Sequence, residues 1–111
     1  MPDFTVNYAI GNTLYMIAER LSDGDSHTIN LTDNADGTHT GNMPSSAGLG
    51  QYACRAYKQS GVSPDTDVDT LLTPNETRIW SGSEFDFDKA VDAALGTYKP
   101  GGMTFAGVRS G

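Results

Sequence analysis

The residues best suited to chemistry are the run Asp65-Thr66-Asp67-Val68-Asp69 and the following Glu76. Carboxylates at loop positions 1, 3, 5 and 12 are the oxygen ligands of a calcium loop. Such a loop turns sharply at a glycine in position 6, where this chain has Thr70. Pro74 also falls inside it, and no helical pattern flanks it. The stretch is therefore read as an acidic, solvated loop, and no metal is expected. His27 and His39 are the only histidines, and Cys54 is the only cysteine. A hydrolytic triad needs a histidine beside a nucleophile and an orienting acid. No G-x-S-x-G elbow occurs, Cys54 falls in a predicted core strand, and both histidines border hairpin strands as surface or edge residues. No His/Cys spacing fits zinc. The chain is expected to be non-enzymatic, with no catalytic residue and no cofactor. Trp80, Tyr52, Tyr57 and Tyr98 could line a sugar-binding face, but they also suit core and rim packing, which is the preferred assignment.

Composition narrows the class. A chain of 111 residues is one domain by size. It carries 14 acidic against 7 basic residues, a net charge of −7, which repels phosphate backbones and argues against nucleic acid as a partner. A single cysteine permits no intrachain disulfide, so packing must hold the fold, as suits assembly in a reducing cytoplasm. No apolar run approaches the ~20 residues of a membrane-spanning helix. Met1-Pro2-Asp3-Phe4-Thr5 has neither a basic nor an apolar leader region, so no signal peptide is expected.

The elements that must position these residues are mostly strands. Phe4, Val6, Tyr8 and Ile10 alternate with polar or small residues, the period of a half-buried strand. Thr13 to Leu21 is apolar on both faces, with Leu14, Met16 and Ala18 opposite Tyr15 and Ile17, so it should be central. His27 to Thr32 alternates with Ile29 and Leu31 inward, and Asp33 to Gly37 reads as a hairpin loop with Gly37 at positive φ. Thr38 to Met43 is a short strand. Gln51 to Lys58 places Tyr52, Cys54 and Ala56 on one face, and Thr77 to Ser81, with Ile79 and Trp80, is the last expected core strand. Phe87, Ala90, Val91, Ala94 and Leu95 then form a helical stripe, capped by Ser83 or Asp86 and ended by Gly96.

Gly50-Gln51-Tyr52-Ala53-Cys54 resembles the G-x-Y-x-C stretch of immunoglobulin strand F. Met16 or Ile17, and Ile29 or Leu31, would replace the missing partner cysteine and core tryptophan. The wider stretch from Thr28 to Phe85 resembles a module of tailed-phage virion structural proteins. The likeness runs in order through Ile29-Asn30-Leu31-Thr32, Asp36 to Pro44, Gly50-Gln51-Tyr52, Gly61-Val62-Ser63-Pro64, Asp69-Thr70 and Ile79 to Ser83. It implies a mainly β fold, an immunoglobulin-like antiparallel β-sandwich over 1–82. A short C-terminal helix over 83–96 and an extended C-terminal arm over 97–111 lie largely beyond the likeness. It further implies a virion subunit made in the host cytoplasm. A capsid decoration (cement) protein is the most specific version, with a tail, neck or fibre component or a carbohydrate or cell-surface binding module as alternatives.

The arm supplies the partner-binding residues. Lys99-Pro100-Gly101-Gly102 reads as a hinge, beyond which Met103 and Phe105 share one face of an extended segment. With Val108, Arg109 and the N-terminal Phe4, they are expected to bind virion proteins such as the major capsid protein and further copies of the chain, giving a homo-oligomer in the assembly.

Overall fold

The structure, a computed structural model, describes residues 2–86 and 102–105. The fold is mainly β, in two sheets packed as a sandwich, with no helix among the described residues. In chain order the strands are β1 (Phe4–Asn7), β2 (Leu14–Arg20), β3 (Ser26–Asn30), β4 (Thr32–Asp33), β5 (Thr38–Gly41), β6 (Gly50–Lys58), β7 (Thr70–Leu71), β8 (Glu76–Trp80), β9 (Phe85–Asp86) and β10 (Met103–Phe105). The smaller sheet has the order β10-β1-β5-β4 and the larger β3-β2-β6-β8-β9, with β7 also pairing β6.

Alternation explains the core. Leu14, Met16 and Ala18 of β2 and Tyr52, Cys54 and Ala56 of β6 face inward, against Phe4 and Val6 of β1 and Met103 and Phe105 of β10. Phe85 joins the two sheets, its ring centroid 5.2 Å from Phe4 and 4.8 Å from Trp80. On the opposite face of the larger sheet, Tyr15, Ile17 and Tyr57 form a second buried cluster with Leu71 against it. The chain changes sheets between β3 and β4, pinned where the Leu31 amide donates to the Leu14 carbonyl at 3.0 Å. The β4–β5 hairpin closes at Gly37, whose φ of 91° lies in the region that glycine alone adopts freely.

Several expectations are corrected. Ser83 to Asp86 belongs to the β8–β9 hairpin, where Ser81 N–H donates to the Glu84 carbonyl and Trp80 pairs with Phe85, so these four residues are not helical. The rest of the expected helix, 87–96, lies outside the described residues. The sandwich is not confined to 1–82 and is not wholly antiparallel. β10, expected in a free arm, pairs parallel with β1 in the register Phe4↔Met103 and Val6↔Phe105. Gly102 permits that approach, since a Cβ there would sit 2.6 Å from the Pro2 carbonyl oxygen. Ile79, expected in the core, is half-buried opposite Gln51, and Trp80 points inward instead. Met16 lies beside Ile29 and Ala56 in one sheet, so it cannot face β6 across the sandwich. Phe105→Ala should therefore lower stability by about 3–5 kcal/mol in denaturant unfolding. An unchanged midpoint would place β10 off the core.

Candidate ligand groove

The second buried cluster needs a cover, and the loop between β6 and β7 supplies it. Its base is tied by the Gln59 amide to the Thr13 carbonyl at 2.8 Å. Its far end is held by Asp69. The Asp69 Oδ2 accepts the Tyr15 hydroxyl at 2.6 Å and the Asp65 amide at 2.8 Å. Its Oδ1 accepts the Ser60 hydroxyl at 2.7 Å and the Ser60 amide at 2.9 Å. Four donors thus converge on one buried carboxylate, which is how a charged group is tolerated there. The Tyr15 hydroxyl is the first cause holding the Asp69 carboxyl below the usual carboxylate range, followed by the Asp65 amide. Burial first, then Asp69, pushes the Tyr15 phenol above its ordinary value. The Tyr15 ring is stacked on Tyr57 at 5.4 Å between centroids, so the hub is continuous with the covered sheet face.

Asp65 to Asp69 is thus no solvated acidic loop at its last residue. Asp65 and Asp67 are exposed, with Asp65 Oδ1 accepting the Asp67 amide at 3.0 Å, while Glu76 pairs with Arg78 on β8. Among the described residues, no three His, Cys, Asp or Glu side chains converge.

Beside the loop lies an open groove of about 450 Å³. Its floor is the outer face of β2 and β3, where Tyr15, Ile17, Ser26 and Thr28 line it. Ser63 to Thr66 form one wall. Cross-strand register sets Thr28, Ile17 and Arg55 in one row over three strands. The Arg55 Nε donates to the Tyr57 hydroxyl at 2.9 Å, and its guanidinium carbon lies 5.8 Å from the centre of that ring, so the head group is held in place.

The residues singled out from the sequence fall elsewhere. Phe4, Met103 and Phe105, expected to bind partners, are buried in the chain's own core because β10 adds to the β1 edge. Val108 and Arg109, like Tyr98, lie outside the described residues. His39 is fully buried, against the expectation of a surface or edge position, with Nε2 3.1 Å from the Ala9 carbonyl. His27 is half-buried with Nε2 3.2 Å from the Asp25 carboxylate. Cys54 is buried, and burial is the main cause pushing its thiol up to about 12. Trp80, Tyr52 and Tyr57 are all buried, which fits packing and leaves no aromatic platform among them. The Tyr52 hydroxyl donates to the Gly48 carbonyl, four residues upstream, at 2.8 Å. The groove itself was not foreseen. Its one sequence signal is the apolar second face of β2, which shows that something must cover that side.

Compared with known proteins, the chain matches no family model, no curated protein and no solved structure.

Two outcomes follow from these environments. At pH 8 native Cys54 should react with a thiol reagent only as fast as the protein unfolds, and rapid labelling would contradict its burial. Asp69 has a lowered folded-state pKa, so its stabilisation is present above about pH 4, the unfolded value, and is lost as pH falls through the folded value. Asp69→Asn should lower the melting temperature at pH 7 and flatten its fall below about pH 4. An unaltered acid limb would show that the carboxylate is not the anchor.

Proposed function

We propose that this chain is a non-enzymatic structural subunit of a tailed-phage virion, built on an immunoglobulin-like sandwich. A capsid decoration protein binding the major capsid protein and its own copies is the most specific form. The observation that carries the fold part is the tyrosine contact. In immunoglobulin domains a tyrosine two residues before the strand-F cysteine hydrogen-bonds the backbone a few residues upstream. Tyr52 stands two residues before Cys54 and bonds Gly48. The strand order agrees. Immunoglobulin sheets run A-B-E-D and C-F-G, and the variable type adds C′ and C″ beside C. Here β1, β5 and β4 fall in the positions of B, E and D, and β3, β2, β6 and β8 in those of C′, C, F and G. The departures are β10, which lies parallel to β1 where strand A would be, and β9, which extends the larger sheet beyond β8.

The virion part rests on the sequence likeness from Thr28 to Phe85. It is consistent with how the reactive groups are used. Cys54, His39 and Asp69 are all spent in the interior. With Phe4, Met103 and Phe105 inside, attachment is assigned to the loop end, where Ile10, Val62 and Val68 are exposed. Their two loops are joined at the base by the Gln59–Thr13 hydrogen bond. The test is reconstitution on purified particles depleted of the protein, followed by imaging. The wild-type chain should return to the particle. The double variant Val62→Asp and Val68→Asp should fold with an unchanged melting temperature but fail to attach. Equal attachment of the variant would remove the loop end, and failure of the wild-type chain to bind any particle would remove the virion assignment.

A further inference from the structure

We infer that the groove beside Arg55 binds a short acidic saccharide, a sugar bearing one carboxylate among several hydroxyls. The inference goes beyond the virion reading and does not depend on it.

Arginine pairing is the starting point. The chain has twice as many acidic as basic residues, and two arginines of the described residues have taken an acid. Arg20 bonds Asp23 at 2.6 Å, and Arg78 bonds Glu76. Arg55 has no carboxylate partner among the described residues. Among the described residues its hydrogen bond is from Nε to the Tyr57 hydroxyl. The two η nitrogens are left for a partner, and the Tyr57 contact fixes the plane in which they lie. A planar fork of this kind matches a carboxylate in two parallel hydrogen bonds.

The rest of the groove matches a polyhydroxylated ligand rather than a second anion. Ser26, Thr28, Ser63 and Thr66 bring hydroxyls that can both donate and accept. Asp65 lines the same groove and accepts only, so it selects hydroxyl donors and disfavours a second carboxylate. Ile17 and Pro64 give small apolar surfaces against which the C–H face of a sugar ring can rest. The volume of about 450 Å³ falls in the range of small-ligand sites. An acidic peptide fits less well, because it brings no ring of hydroxyls for the serine and threonine side chains. Repulsion by the net charge of −7 is screened beyond about 8–10 Å at physiological salt, so it weakens binding without cancelling the short-range Arg55 contact.

The experiment is an NMR titration of the isotope-labelled full chain with three probes. These are a disaccharide ending in glucuronate, the methyl ester of the same disaccharide, and an acetylated Ser-Glu-Ser peptide. The glucuronate probe should give saturable shifts at the amides of Ile17, Thr28, Arg55 and Thr66. The ester should bind about tenfold more weakly, the loss expected when a charge-assisted pair becomes neutral. Arg55→Gln should lose a similar factor towards the acid and none towards the ester, while Arg55→Lys, which keeps the charge without the fork, should fall between. If Arg55→Gln does not fold, Thr28→Val and the comparison of acid with ester on the wild-type chain still decide. Equal binding of acid and ester, preference for the peptide, or no saturable shift would each overturn the inference. None of these results bears on reconstitution with particles, so failure here is distinct from failure of the virion assignment.

Discussion

The outer face of the larger sheet depends on one carboxylate. β2 is apolar on both sides and Tyr57 of β6 joins its outer cluster, so the sandwich interior covers only half of what β2 must bury. The loop from Gln59 to Asp69 covers the other half, and polar loop residues have little hydrophobic reason to lie flat. Asp69 supplies the reason. A buried carboxylate without donors would be costly, so the native arrangement is the one in which Tyr15, Ser60 and Asp65 all reach it. The same four bonds fix Ser63 to Thr66 as a wall, and thereby make a groove out of an otherwise flat sheet face.

Much of the fold was legible because alternation is a local signal. The two-faced character of Leu14 to Ala18, the shared face of Tyr52, Cys54 and Ala56, and the Asp33–Gly37 turn all follow from period and turn chemistry. β10 was not legible, for a physical reason. Its three residues sit in a glycine-rich stretch, and their partner strand is about a hundred residues earlier in the chain. A parallel pairing of that kind has no turn to announce it. The hairpin at Ser81–Glu84 was overridden by the helical stripe that begins just beyond it. The candidate site was the least legible part. An Asp-x-Asp-x-Asp run looks like an ion loop until the direction of one side chain is known, and Asp69 turns inward to neutral donors. The row Thr28, Ile17, Arg55 exists only through register between three strands.

Fold and function meet in how the polar and reactive groups are spent. Groups that sequence alone would nominate for chemistry hold the structure together: Cys54 as a small core residue, His39 as a buried donor to the Ala9 carbonyl, Asp69 as an anchor. The proposed attachment surface and the proposed groove both include residues of the same loop. That shared loop makes Asp69 the point at which the whole account is exposed.

Native-state hydrogen exchange tests it most directly. In the wild-type chain the amides of Ser60 and Asp65, both donors to Asp69, should be protected well beyond the exposed residues between them. In Asp69→Ala that protection should vanish at both positions while the amides of β2 and β6 stay protected. Free exchange at Ser60 and Asp65 in the wild-type protein, or unchanged protection in the variant, would contradict the claim that this carboxylate holds the loop and shapes the groove.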